Sequence, residues 1–158
     1  MTAIARQTAR VLPVDRRGRV LLLFGRDPAR PTAPYWFSVG GAVEVGESLT
    51  EAAVRELFEE TGIQVDQDQL IGPIHRGTHT FSFDGRDYVS DSTFFALAIN
   101  DVVVTFEGLE DGEVGNIFNA NWWQPTDLLN GVPLSNSGLP AIAQLAADAV
   151  NAMLPEDR

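Results

Sequence analysis

Residues 41–63, GAVEVGESLTEAAVRELFEETGI, constrain this chain more than any other stretch. Ser48 and Glu51 have the S-x-x-E spacing of a capping box, in which each side chain satisfies an orphan amide of the first helical turn. Gly62 suits the left-handed position just beyond a helix end. The spacing therefore predicts a helix that starts at Ser48 and stops before Gly62. Leu49, Ala53 and Leu57 recur at i, i+4 and i+8, with Val54 and Phe58 beside them, and form a stripe that faces a core. Glu56, Glu59 and Glu60 stand at i, i+3 and i+4 and share another face. Like charges so placed repel by about 0.2–0.5 kcal/mol per pair. They also crowd the helix C-terminus, where the dipole disfavours negative charge. A sequence shaped by stability alone would avoid this, whereas a hard divalent cation turns the repulsion into a binding site. The donors are all oxygens and the chain has no cysteine, which favours Mg²⁺, with Mn²⁺ as the alternative, over Zn²⁺.

Written as G-x5-E-x7-R-E-U-x-E-E-x-G-U, with U a bulky aliphatic, the segment fits at every fixed position. These positions are Gly41, Glu47, Arg55, Glu56, Leu57, Glu59, Glu60, Gly62 and Ile63. This pattern is the Nudix box, and the chain resembles the Nudix hydrolases, in layout the compact mutator-phosphohydrolase-like members. The resemblance implies an α/β/α sandwich with a mixed sheet between helices. It also implies Mg²⁺-dependent hydrolysis of a diphosphate linkage in a nucleoside diphosphate derivative. By the same resemblance, Glu56, Glu59 and Glu60 hold metal, the Gly40 carbonyl joins the metal shell, and Arg55 forms a salt bridge to Glu47 that ties loop to helix. The family's frequent proline before the glycine pair is Val39 here, a departure that touches loop rigidity rather than ligands. The general base in such enzymes is either a box glutamate, here Glu56, or one on an outside loop. The acidic loop Glu107–Gly115 supplies the outside candidate: Glu113 is favoured, as metal ligand or base, and Glu110 is the alternative.

The rest of the chain reads as strands around this helix. Ala9–Asp15 and Arg19–Gly25 are strands joined by a turn at Arg16–Arg17–Gly18. The unbroken run Val20–Phe24 has the look of a strand buried on both faces. Tyr35–Ser38 is a short strand. Ile71–Phe83 and Arg86–Ile99 flank Asp84–Gly85, a hairpin signal. Val102–Phe106 and Ile117–Trp123 read as strands, Thr126–Leu129 as a helical turn, and Leu139–Leu154 as a closing helix. One domain over residues 1–158 is expected from 158 residues without a linker.

The net charge of −11 argues against nucleic acid polymers and anionic membranes as partners. A small nucleotide substrate could still approach if cations bridge its phosphates to the carboxylates. No secretory leader or spanning segment is visible, so the expected compartment is the cytoplasm. Members of the family often dimerise, so a homodimer is allowed, although no self-association pattern appears.

Substrate signals are weaker. Tyr35, Trp36, Phe37, Trp122 and Trp123 are candidate stacking surfaces, with core packing the plainer reading. Arg26, Arg30, Arg76 and Arg86 could meet phosphates, and Asn119 and Asn121 a base edge. His75 and His79 read as hairpin surface residues. A (deoxy)nucleoside triphosphate or a modified nucleotide such as 8-oxo-dGTP leads. ADP-ribose or a dinucleoside polyphosphate follows, and a non-catalytic nucleotide-binding module is the reading from another class.

Overall fold

The structure is a computed structural model that describes residues 3–100, 102–111 and 113–153. Among them the elements run β1 (Ile4–Val14), β2 (Val20–Gly25), β3 (Tyr35–Phe37), β4 (Val39–Ala42), α1 (Leu49–Thr61), β5 (Ile71–Phe83), β6 (Arg86–Ala98), β7 (Ile117–Trp123) and α2 (Leu139–Met153). Short 3-10 turns lie at Gln67–Gln69 and Pro125–Leu129.

β1 is the spine of a mixed sheet. It pairs parallel with β6 along its length, from Ile4 opposite Tyr88 to Val14 opposite Ala98. Its other edge meets β4 antiparallel over Thr8–Val11 and meets β2 at Val14. β2 then carries β3 on one side and β7 on the other. β5 and β6 form the predicted hairpin, closed by Asp84–Gly85, with Asp84 at a positive φ of 52°.

The two helices cover opposite faces. Leu21 and Leu23 join Ala53 and Leu57 of α1 in one apolar cluster, while Val20 and Leu22 join Ile142, Ala146 and Val150 of α2 in the other. β2 is thus buried on both faces, as its unbroken apolar run implied. Each fully buried aliphatic side chain contributes about 1.5–3 kcal/mol. Trp122 packs toward the α1 cluster and its neighbour Trp123 toward the α2 cluster, as strand alternation requires. The α/β/α sandwich expected from the resemblance is what the chain forms. Among the described residues no helix is long and apolar enough to cross a membrane.

Three sequence readings change, and a fourth extends past the described residues. The segment 102–106 is not a strand: Val102, Val104 and Phe106 pack on the α1 cluster, while the Thr105 amide donates to the Thr61 carbonyl at the helix end. Its alternating pattern reports burial rather than pairing. Phe58 is 49% exposed and lies off the core stripe that Ala53 and Leu57 form. β1 begins at Ile4 rather than Ala9, because parallel pairing with β6 carries the strand through the polar residues Arg6, Gln7 and Thr8. The closing helix is described to Met153, and Leu154 lies outside the described residues.

Candidate active site

α1 is held at both ends as its sequence dictates. Ser48 Oγ accepts from the Glu51 amide at 3.1 Å and Glu51 Oε1 accepts from the Ser48 amide at 2.9 Å. Gly62 closes the helix at φ 78°, donating to the Phe58 carbonyl. β4 passes beside this helix.

Arg55 organises the loop that precedes the helix. Its Nε and Nη2 grip both Glu47 oxygens, at 2.7 and 3.0 Å, and Nη2 also donates to the Ala42 carbonyl at 3.0 Å. Nη1 reaches Glu56 Oε1 at 3.0 Å and Glu59 Oε2 at 3.2 Å. The forked contact lowers the Glu47 pKa and raises that of Arg55, so both stay charged.

Glu56 and Glu60 are 8% and 1% exposed. Glu60 Oε1 accepts the Gly40 amide at 2.7 Å. Glu113 arrives from the acidic loop, and one carboxylate oxygen from each of Glu56, Glu60 and Glu113 lies within 4.8 Å of the others. Burial pushes the Glu56 carboxyl up to about 7 against the opposing pull of Arg55, with smaller repulsions from Glu59 and Glu113. Burial also raises Glu60 well above the carboxylate range, with Glu56 and Glu113 reinforcing the shift. Two buried carboxylates and a third converging on one point, all oxygen donors, fit a hard divalent cation. Gly41 is part of that fit: a Cβ there would stand 2.5 Å from Glu56 Oε1, so only glycine leaves this carboxylate its place.

Glu59 is bound to Arg55 and is not within the Glu56–Glu60–Glu113 convergence. Burial raises its pKa too, with Glu110 and Glu113 adding repulsion. Glu110 lines the same cleft as Glu113.

The carboxylates open into a cleft of about 680 Å³. Arg26 and Arg30 line it, as do the rings of Tyr35 and Phe37. Trp36 does not; it packs between Phe24 and Trp123 on the α2 side. Arg76 is held by Asp91 in a forked pair, and neither it nor Arg86 lines the cleft. Asn119 and Asn121 are exposed on β7, away from the cleft lining. His79 lines the cleft rather than only the hairpin surface, stacked on Phe81 at 5.4 Å.

Arg6 and Arg10 of β1 are among the cleft residues that escaped the sequence reading. Arg10 Nη1 donates to the Ser38 and Gly40 carbonyls, both at 3.1 Å. The Arg6 guanidinium lies 5.0 Å from the centroids of the Phe81 and Tyr88 rings. The available signal was their even spacing, which places both on one face once β1 is extended to Ile4.

The NUDIX domain family matches residues 5–144. A Bacillus subtilis protein named as the uncharacterized Nudix hydrolase YvcI is 32% identical over 131 residues, 82% of this chain and 72% of that one. An oxidized purine nucleoside triphosphate hydrolase of Danio rerio is 40% identical over 82 residues, 52% of this chain and 48% of that one. The crystal structure of the MutT protein from Methanosarcina mazei Go1 superposes with a TM-score of 0.66 at 21% identity, covering 96% of this chain and 98% of that one.

Proposed function

The chain belongs to the Nudix hydrolases, and from that premise we propose that it is a Mg²⁺-dependent enzyme that cleaves a diphosphate linkage in a nucleoside triphosphate or a modified nucleotide. The observation that carries this reading is the convergence of Glu56, Glu60 and Glu113 inside a cleft large enough for a nucleotide. The name of the Danio rerio relative supports a purine nucleoside triphosphate as the first substrate to try.

Glu56, Glu60 and Glu113 would hold the cation; the other assigned members are Glu59, which Arg55 holds outside that convergence, and the Gly40 carbonyl, which accepts from Arg10. A bound divalent cation supplies charge neutralisation at phosphate oxygens and a more acidic attacking water. The chain's own residues do the rest. Glu113 is assigned the proton from the attacking water, and Glu56 is the second candidate for the same role. Arg55 and Glu47 hold the loop and keep the acidic face in register. Gly41 lets backbone and carboxylate approach each other closely. Tyr35 and Phe37 offer aromatic faces in the cleft for a base.

The test is a panel of nucleoside triphosphates, oxidised nucleotides, ADP-ribose and dinucleoside polyphosphates, read as phosphate or pyrophosphate release with and without Mg²⁺. Mg²⁺-dependent release, fastest with a triphosphate, is the expected result. Tight nucleotide binding without turnover under any divalent ion would replace the enzyme by a nucleotide-binding module.

A further inference from the structure

The chain has 22 acidic and 11 basic residues, and Arg6 and Arg10 both line the cleft. Arg19, Arg55 and Arg76 each pair with carboxylates. Among the described residues, Arg6 and Arg10 form no ion pair; Arg6 has a long contact to Ser90 Oγ and two aromatic rings beneath it. Burial and the neighbouring Arg10 both lower the Arg6 pKa. Two cations are thus held near each other and partly desolvated, with Glu56 and Glu60 near enough to attract Arg10 but in no ion pair with it.

The geometry of Arg10 shows what is left over. Its Nη1 is occupied by the Ser38 and Gly40 carbonyls. Its Nε and Nη2 have no acceptor among the described residues. In Arg55 the same Nε–Nη2 edge grips the two oxygens of Glu47. In Arg10 that edge, planar and preset for a two-oxygen anion, belongs to a residue that lines the cleft and keeps part of its surface accessible. The two bonds at Nη1 tie the guanidinium to the backbone beside Gly40. Gly40 makes room for it, since a Cβ there would lie 2.7 Å from Arg10 Cδ.

We propose that the Nε–Nη2 edge of Arg10, backed by Arg6, binds a phosphate group of the substrate. The cleft then grips a phosphate chain by two chemistries: carboxylates acting through a cation, and arginines acting directly. This rests on the reading that a phosphorylated substrate enters this cleft, and it names residues of β1 as its specificity element.

The experiment titrates inorganic tripolyphosphate, with Ca²⁺ present, into the wild type and the Arg10→Met, Arg10→Lys and Arg6→Met variants. Mn²⁺ affinity without any anion is the second readout. Arg10→Met should weaken tripolyphosphate by about 10- to 100-fold, the span for losing charge-assisted hydrogen bonds. Arg10→Lys should lose less, because it keeps the charge but not the fork. Arg6→Met should lose about two- to fivefold. Mn²⁺ affinity should hold or rise, because a cation near the carboxylates is gone. Wild-type protein that ignores tripolyphosphate, or Arg10 variants that bind it as wild type does, would overturn the proposal. So would parallel falls in Mn²⁺ and tripolyphosphate affinity, which mark a merely structural clamp; Arg10→Lys decides this if Arg10→Met does not fold. Binding is read without turnover, so a nucleotide panel showing no hydrolysis would refute the proposed activity and leave this result standing.

Discussion

The carboxylate and arginine parts of the cleft are built by opposite routes. Glu56 and Glu60 lie one turn apart on a single helix, capped by Ser48 and closed by Gly62. Their nearness follows from helical geometry alone. Arg6 and Arg10 matter only because β1 runs parallel to β6, which brings Tyr88 beneath Arg6, and antiparallel to β4, which brings Gly40 against Arg10. Helical constellations are local in sequence, whereas sheet constellations depend on register between distant segments. The acidic face also carries its own contradiction, repulsion at the unfavourable end of a dipole, and so announces a missing cation. The arginines carry the same contradiction, yet it is visible only after the strands are paired.

Two perturbations sharpen this contrast. The larger is Gly41→Ala. The added methyl would collide with Glu56 Oε1, the same oxygen that accepts from Arg55. A displaced catalytic group of this kind costs about 100-fold in kcat. The melting temperature should move little, because the clash involves the end of a side chain. A variant with wild-type kcat would show that the position of Glu56 is not critical and would weaken the helical half of the comparison.

The smaller effect is on stability against pH. The folded Glu56 carboxyl, near 7, binds its proton more tightly than the unfolded one, near 4.5. Its contribution is therefore fully present below the unfolded value and is lost as pH rises through 7. Glu60 shifts in the same direction. Glu47 shifts the other way and titrates below this window, while His79, lowered from 6.5 by burial and by Arg10 and Arg6, opposes the trend only below that value. Metal-free protein in EDTA should thus lose on the order of 1–3 kcal/mol between pH 5.5 and 8. Saturating Mg²⁺ should remove the loss by binding the charged carboxylates. Melting curves at the two pH values, with EDTA and with Mg²⁺, check it. A metal-free melting temperature that is flat or rises with pH would contradict the burial of these charges.

Much of the fold was legible in the sequence for physical reasons. The caps of α1 are chemical signals read within a few residues, and the Asp84–Gly85 turn sets its hairpin just as locally. The run Val20–Phe24 named a doubly buried strand, and the helices on either face bear that out. The segment 102–106 misled because apolar alternation records which side chains are buried, not whether amides find a partner strand. Polar residues hid the start of β1, since parallel pairing sustains a strand without apolar alternation. In the candidate site, the Glu47–Arg55 contact and the approach of Glu113 to the helix are where the sequence reading placed them. Arg6 and Arg10 were silent because nothing local marks an arginine whose partners sit some thirty to eighty residues away.

The most direct test of the account is Mn²⁺ binding, followed by electron paramagnetic resonance, in the wild type and in Glu56→Gln and Glu60→Gln. If these buried carboxylates form a cation site, the wild type binds Mn²⁺ and each variant weakens it by about tenfold or more. Equal Mn²⁺ affinity in all three folded proteins would contradict the cation site, and with it the proposed chemistry of the cleft.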